Sequence, residues 1–252
     1  MVEIWQTTIP TLSGEVPRSV YVYLPLDYAE SHASYPVLYL FDGQEVFSQQ
    51  NARFGSDFAL DTFLDANHVP LIVVAVACNA DVAGARLDEY SPFDFSHKVF
   101  GDHTGKGKQT MDWYVHTLKP KIDSLYRTLP DRAHTYIMGC SMGGLMSLYA
   151  LLEYNSVFHG AAALSPSLWV APAPMRALIR TAHIDPDTIL YMDCGQIEMK
   201  QQRSLAQLFP DFSKALENRG VLLTQRIVPG GKHSSESWKR QLPFVLFTLL
   251  YT

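Results

Sequence analysis

A serine flanked by glycines is the residue of this chain best suited to covalent chemistry. Ser141 lies in Gly139-Cys140-Ser141-Met142-Gly143, which fits the pattern G-x-S-x-G, and a further glycine follows at position 144. A strand-like stretch, 135–138, precedes it and a helix-like stretch, 145–152, follows it. Small flanking residues allow the sharp turn from strand to helix that exposes such a hydroxyl. We therefore predict that Ser141 is a nucleophile at a strand-to-helix turn.

A serine hydroxyl needs a base within hydrogen-bonding reach, and three histidines follow Ser141 along the chain. In hydrolases whose serine lies on such a strand-to-helix turn, the usual order along the chain is serine, acid and histidine, each on a loop after a strand. His159 lies at the end of the helix after the turn, and His183 precedes a strand. His233 follows a strand-like stretch through the glycine-rich loop Pro229-Gly230-Gly231-Lys232. We predict that His233 is the base.

The acid that orients the histidine should follow the preceding strand, within residues 191–198. Two carboxylates lie there, Asp193 at the predicted strand end and Glu198 in the loop just past Gly195. We favour Glu198, because a loop residue can turn toward the histidine. Asp193 remains the alternative, with loop bracing as its other role.

Acyl transfer also needs N–H donors for the oxyanion of the tetrahedral intermediate. One predicted donor is the backbone amide of Met142, directly after the nucleophile. The second is the backbone amide of Gln44, in the loop after the strand-like stretch 37–41, where Gly43 lets the chain bend. Asp42 is predicted to brace this loop.

Composition excludes several classes of function. The chain has 252 residues, of which 47% are hydrophobic and 18% charged, and its net charge is −5. With no run of Lys and Arg, we expect no nucleic-acid partner. The longest apolar runs, such as 71–78, are too short to span a bilayer, and no signal peptide is visible. Three widely spaced cysteines predict reduced thiols in a cytoplasmic protein: Cys78, Cys140 and Cys194.

Strand-like and helix-like stretches alternate along the chain, which predicts a parallel α/β sheet covered by helices on both faces. With no repeat or linker, one domain over residues 1–252 is the simplest organisation. The predicted strands are 18–24 (half-exposed), 37–41, 71–76, 135–138, 160–164, 188–192 and 222–228. The predicted helices are 58–67, 113–126, 145–152, 174–181, 201–219 and 237–250.

The stretch 91–110 interrupts this alternation and is predicted to be a long loop. His97, Asp102 and His103 lie in it, but without the tight spacing of a metal-ligand motif. Its glycine-rich part, 101–108, does not match the phosphate-binding pattern G-x-x-x-x-G-K-[ST], so it too is predicted to be loop. We therefore predict neither a metal nor another cofactor.

The chain resembles an esterase family of α/β-hydrolases that includes enterochelin esterases, S-formylglutathione hydrolase and carbohydrate-feruloyl esterases. The motifs that carry the resemblance are 36–43, Arg86-Leu87-Asp88-Glu89-Tyr90-Ser91-Pro92, 126–130, Leu164-Ser165-Pro166-Ser167-Leu168-Trp169, 195–198 and 230–233. The resemblance implies the α/β-hydrolase fold, with Ser141 as nucleophile, His233 as base and Glu198 as acid, a position where the family often has Asp. Arg86 is expected either at the mouth of the site or in a surface salt bridge, and Trp169 either in the substrate pocket or in the core.

The predicted function is that of a serine hydrolase that cleaves a small-molecule carboxylic ester through an acyl-enzyme. One alternative transfers the acyl group to an alcohol. Another hydrolyses a siderophore lactone or the thioester of S-formylglutathione. A third, a non-catalytic binding protein on a hydrolase scaffold, is disfavoured because all three catalytic positions are filled.

Overall fold

The computed structural model describes residues 1–47 and 58–251. The strands within them are β1 (Val2–Ile9), β2 (Gly14–Tyr23), β3 (Val37–Leu40), β4 (Ile72–Val76), β5 (Phe95–His97), β6 (Gly101–His103), β7 (Thr135–Cys140), β8 (Gly160–Leu164), β9 (Ile189–Gly195) and β10 (Leu222–Val228). Eight of these form one sheet in the order β1-β2-β4-β3-β7-β8-β9-β10. The pairs β1–β2 and β2–β4 are antiparallel, and the remaining neighbours are parallel.

The α-helices of the described residues are α1 (Pro10–Ser13), α2 (Leu60–Ala66), α3 (Ala85–Glu89), α4 (Gly107–Trp113), α5 (Lys119–Leu125), α6 (Met142–Glu153), α7 (Pro172–Thr181), α8 (Gln196–Gln201), α9 (Arg203–Glu217), α10 (Ser235–Lys239) and α11 (Leu242–Tyr251). A π-helical turn, Tyr114–Leu118, joins α4 to α5, and short 3-10 helices lie at Gly43–Glu45 and Arg132–His134. Within the described ranges, each helix is too short or too polar to cross a membrane.

Two hydrophobic cores lie on opposite faces of the sheet. Successive residues of one strand enter different cores, as Val20 and Val22 do on one face and Tyr21 and Tyr23 on the other. Helices α4 to α7 and α9 cover the first face, and α2 and α11 cover the second. Burial on both faces explains why strands such as β4 are continuous apolar runs rather than alternating ones. The predicted α/β fold class is confirmed.

The prediction of a half-exposed strand over 18–24 is wrong. Strand β2 is buried from Val20 to Tyr23, because its side chains enter the hydrophobic cores on both faces of the sheet. The apparent alternation in the sequence reflects aromatic and aliphatic residues that enter different cores, so it does not indicate which side chains are exposed to solvent. The antiparallel β1 was not predicted, since residues 2–9 mix polar and apolar types on an edge strand.

The prediction of a long loop over 91–110 is also wrong in part. Phe95–His97 and Gly101–His103 pair as an antiparallel hairpin, and α4 already begins at Gly107. The paired segments have only three residues each, too few for period-two alternation to be visible in the sequence. The helix predicted over 113–126 therefore starts six residues earlier, with the π-helical turn inside it.

One predicted helix near the carboxyl end of the chain is interrupted, and another is preceded by a helix that was not predicted. The stretch predicted as 201–219 corresponds to α9, and the short helix α8 precedes it across the extended Gln202. The stretch predicted as 237–250 is α10 followed by α11. Glu198 therefore lies in the short helix α8, whereas it was predicted from the sequence to lie in a loop.

A buried ion pair joins the sheet to α3. The Arg18 guanidinium on β2 donates two hydrogen bonds to the Glu89 carboxylate at the end of α3, one of them 3.1 Å long, and both side chains are almost fully buried. The same carboxylate accepts the backbone N–H of Asn79, and the Glu89 carbonyl accepts the Thr110 hydroxyl. These bonds fix α3, which carries Arg86, against the sheet.

Replacing Arg18 with methionine should lower the free energy of unfolding by about 3–5 kcal/mol, because it leaves the Glu89 carboxylate buried without its cation. Urea unfolding followed by circular dichroism measures this loss. Lys108→Ala is the matched control, since its ion pair with Asp112 is exposed and should contribute less than about 1 kcal/mol. Equal small losses for the two variants would contradict a structural role for the buried pair.

Candidate active site

Ser141 occupies the strained turn between β7 and α6. Its backbone has φ 58° and ψ −118°, outside the regions that most residues adopt. Its N–H donates to the Leu164 carbonyl (2.9 Å), which holds the turn against β8. A Cβ on Gly139 would lie 2.5 Å from the Gly143 carbonyl, so the two ends of the motif touch as only glycine permits. The predicted strand-to-helix turn is present.

The three side chains predicted to act together lie in one hydrogen-bonded line. His233 Nε2 is 2.9 Å from Ser141 Oγ, and His233 Nδ1 is 2.7 Å from Glu198 Oε1. Glu198 is buried, with 2% of its side chain exposed, whereas His233 is 37% exposed. An ionised carboxylate can only accept, so Nδ1 carries the proton and Nε2 is left to accept from the serine hydroxyl. This arrangement can activate a serine nucleophile.

A close backbone contact brings the acid and the histidine together. A Cβ on Gly195, at the end of β9, would lie 2.5 Å from the Gly231 carbonyl oxygen. That oxygen accepts the N–H of Ile197, at 3.0 Å. The loop after β10 therefore lies directly on the start of α8. Glu198, in the first turn of that helix, and His233, two residues past Gly231, face each other as a result.

Asp193, the alternative acid, has other partners. It lies within β9, and its carboxylate accepts the Ser165 N–H (3.0 Å) and the Tyr191 hydroxyl (3.1 Å). Burial, with a smaller contribution from the nearby Glu198 charge, raises the pKa of Asp193 to about 7. The structure thus brings Glu198 rather than Asp193 to the imidazole, and Asp193 holds the loop after β8.

The two amides predicted to bind the oxyanion lie at the same end of the sheet as Ser141. Met142 is the first residue of α6, so its N–H has no carbonyl within the helix to bind. The Gln44 amide lies in the turn after β3, and the Gln44 side chain accepts the Cys78 N–H at 3.2 Å. Among the described residues, neither amide donates a backbone hydrogen bond. Within the part of the chain that the structure describes, both N–H groups can therefore donate to a ligand.

Arg86 forms a two-pronged ion pair with Asp42. Its Nε and Nη2 atoms each lie 2.7 Å from a carboxylate oxygen, and its guanidinium lies over the Tyr90 ring. Asp42 has the positive φ of 57°, and its N–H donates to the Tyr90 hydroxyl (3.1 Å). The pair braces the turn that carries Gln44. Arg86 also borders the cavities beside Ser141. It therefore lies at the mouth of the site, and its ion pair with Asp42 is partly buried rather than on the open surface.

Two cavities adjoin Ser141 and share Arg86 and His233 in their walls. The first has mostly apolar walls, with Leu40, Phe41, Val46, Phe58, Met138 and Trp238 among them. The second, of about 680 Å³, is bordered by Trp169 and Phe100, whose rings stack 5.7 Å apart. A cavity of this size accommodates a small organic ligand. Trp169 thus contacts both the β5–β6 hairpin and the cavity.

The histidines of the β5–β6 hairpin have protein partners of their own. His103 Nδ1 is 2.7 Å from an Asp88 oxygen, and His97 accepts the Val99 N–H. In residues 1–47 and 58–251, no group of three or more His, Cys, Asp or Glu side chains could hold a metal ion.

Two residues that contact the acid and the histidine were not singled out from the sequence. Ser165 donates a hydrogen bond to Glu198, and Trp238 packs against His233. Ser165 belonged to a recognisable motif, but nothing in the sequence indicated its partner, 33 residues away. Trp238 was interpreted only as part of the helix predicted over 237–250.

Comparison with known proteins identifies the family. The family model described as "Putative esterase" matches residues 13–249. The uncharacterized protein YbbA of Bacillus subtilis (strain 168) is 25% identical over 191 residues, 75% of this chain and 72% of YbbA.

Two solved structures share the fold. The BES protein from Bacillus cereus aligns with a TM-score of 0.74 and 19% identity, over 100% of this chain and 95% of that one. An IroE-like serine hydrolase from Shewanella oneidensis aligns with a TM-score of 0.72 and 21% identity, over 94% of this chain and 76% of that one. Because the family model covers nearly the whole chain, including the residues around Ser141, this chain belongs to the Putative esterase family of carboxylic ester hydrolases.

Proposed function

We propose that the protein is a serine esterase in which Ser141, His233 and Glu198 form the catalytic triad. The observation that carries the proposal is the pair of short contacts on the imidazole, 2.9 Å to the serine hydroxyl and 2.7 Å to the buried carboxylate. Each contact lies within the range in which a proton can be transferred or held.

In the proposed reaction, Ser141 Oγ attacks the ester carbonyl while His233 Nε2 takes its proton. Glu198 holds the Nδ1 proton and stabilises the imidazolium that forms. The backbone amides of Met142 and Gln44 bind the oxyanion, and donors of this kind contribute roughly 2.7–4 kcal/mol each. The imidazolium then protonates the leaving alcohol. Water, activated by the same imidazole, releases the acyl group from Ser141.

We further propose that the substrate is a small-molecule ester whose two halves occupy the cavities beside Ser141. Arg86 and Trp169 would contact it, Arg86 through polar groups near the reacting carbonyl and Trp169 through an apolar part. Acyl transfer to an alcohol, or cleavage of a siderophore lactone or S-formylglutathione, would use the same relay. A panel of acetyl, short-chain, feruloyl, thioester and lactone substrates, with added alcohol acceptors, distinguishes these possibilities.

We also propose that the protein acts in the cytoplasm. Its three cysteines are free thiols, and burial raises the pKa of Cys78 to about 12 and that of Cys140 well above its usual range. Thiols of this kind are slow to oxidise, as suits a reduced protein.

Replacing Ser141 with alanine should lower the turnover of p-nitrophenyl acetate at least about 10³-fold without unfolding the protein, because the nucleophile alone is lost. Steady-state kinetics and circular dichroism check this. Ser147→Ala is the matched control, since its hydroxyl donates only to the Gly143 carbonyl within α6. Unchanged turnover in Ser141→Ala would reject the proposed nucleophile.

Glu198→Gln should lower kcat by roughly 10²–10⁴-fold, because the amide can hold the imidazole in the wrong tautomer. Asp193→Asn should lower kcat less than about tenfold, since Asp193 does not contact His233. The same ester assay compares the two variants side by side. A larger loss in Asp193→Asn would reverse the assignment of the acid.

The raised pKa of Asp193 predicts a pH dependence of stability. The folded protein holds this proton up to a pKa of about 7, against 3.8 for a free Asp, so ionisation of Asp193 costs stability as the pH rises from 4 to 8. The free energy of unfolding of Asp193→Asn, relative to the unmodified protein, should therefore rise by up to about 4 kcal/mol over that range. Urea unfolding at pH 4, 6 and 8 measures it. A constant difference would show that Asp193 titrates normally.

A further inference from the structure

One hydroxyl, that of Ser165, links the acid to the segment that carries the histidine. Ser165 Oγ is 2.8 Å from Glu198 Oε2 and 3.0 Å from the indole Nε1 of Trp238. Ser165 follows β8, Glu198 follows β9, and Trp238 lies on α10, which begins two residues after His233. The three segments that follow β8, β9 and β10 therefore meet at a single oxygen atom.

The chemistry of these groups fixes the direction of both hydrogen bonds. An indole N–H can only donate, so Ser165 Oγ must accept from Trp238. The hydroxyl proton is then directed to Glu198 Oε2, which must accept. Glu198 Oε1 accepts from His233 Nδ1, and the Gly195 N–H points at Oε2 from 3.4 Å. Each of these donors thus holds the buried carboxylate in the position from which it accepts the His233 hydrogen bond.

Trp238 also contacts the imidazole directly. The two rings are nearly perpendicular, with an interplanar angle of 84° and centroids 5.0 Å apart. The short helix that carries Trp238 is held by Ser234 at its start, and Ser237 Oγ accepts the Lys232 N–H at 2.9 Å. His233 lies between Lys232 and Ser234, so its backbone and its ring are both restrained by the helix after it.

Ser165 itself is fixed by its backbone rather than by its side chain. It is 2% exposed and has a φ of 41°, a conformation unfavourable for most residues. Its N–H lies 3.1 Å from the Asp193 carbonyl and 3.0 Å from the Asp193 carboxylate. A strained residue held in this way presents its hydroxyl in one place, as a group that positions another residue must.

We propose that Ser165 and Trp238 are positioning residues of the esterase, which hold the Glu198 carboxylate in line with His233. The proposal rests on the proposed function, because it needs the triad to be the catalytic group. Trp238 thus acts on Glu198 indirectly, because its N–H orients the Ser165 hydroxyl, and it also packs against the His233 ring. Both residues also border the cavities beside Ser141, so loss of a substrate contact would raise KM, whereas loss of positioning lowers kcat and leaves KM unchanged.

The test measures the rate at which a fluorophosphonate labels Ser141, together with kcat and KM for p-nitrophenyl acetate. Ser165→Ala should lower the labelling rate and kcat in parallel, about tenfold, with KM unchanged, since a hydrogen bond to a charged group is lost. Trp238→Phe keeps a ring beside His233 but loses the N–H, and should lower both about threefold. The double variant should be no worse than Ser165→Ala, because the indole acts through the hydroxyl.

Matched controls are Ser213→Ala, a buried serine that donates only to the Phe209 carbonyl, and Trp113→Phe, a buried tryptophan against Tyr114. Both should label at the rate of the unmodified protein. If Ser165→Ala does not fold, Ser165→Cys, whose thiol is a weak donor, should show the same parallel loss.

Labelling of a folded Ser165 variant at the unmodified rate would overturn the proposal. The proposal would also be overturned if the loss of labelling rate in the double variant equalled the product of the losses in the two single variants. Failure of the unmodified protein to label would instead reject the triad itself, so the two proposals fail in distinguishable ways.

Discussion

The hydrogen bond between a buried carboxylate and an accessible imidazole is the interaction on which the site depends. Glu198 is removed from water, and an ionised carboxylate is stable there only when donors surround it. His233 supplies one donor, and the Ser165 hydroxyl and the Gly195 N–H lie at the other oxygen. Because the carboxylate is satisfied in this way, the imidazole keeps one orientation and presents its second nitrogen to Ser141.

The sheet makes this arrangement possible by bringing distant segments to one edge. The carboxyl ends of parallel strands meet at the same edge of a sheet, as in other α/β proteins. Here that edge collects the turn after β3, the serine after β7, the acid after β9 and the histidine after β10. At two places glycines let backbone segments approach more closely than a side chain would allow: Gly139 lies against Gly143, and Gly195 lies against Gly231. The fold sets the approximate position of each group, and the glycines bring the backbones close enough for side chains to touch.

The parts predictable from sequence are those with a local pattern. The turn around Ser141 has flanking glycines, a strand and a helix within one short stretch, so its conformation could be predicted. The glycine-rich loop before His233 and the apolar runs of the central strands also have local signatures. Glu198, predicted to be the acid, does contact His233, although its short helix was interpreted as a loop.

The parts that could not be predicted depend on contacts between distant residues. The pattern of β2 could not distinguish a strand covered on two faces from one exposed on one face, because tyrosines on one face alternate with valines on the other and both types can be buried. The β5–β6 hairpin is too short to show a period. Nothing in the sequence shows that the Ser165 hydroxyl lies between Glu198 and Trp238, because the three residues come together only when the segments after β8, β9 and β10 fold against one another.

The central claim is that Ser141 is the residue activated by this relay. Reaction with a fluorophosphonate followed by peptide mass spectrometry locates the modified residue directly. The account predicts one adduct, on the peptide that contains Ser141, and its loss when His233 is replaced by alanine. An adduct on another serine, such as Ser167, whose hydroxyl is 3.4 Å from that of Ser141, would contradict it.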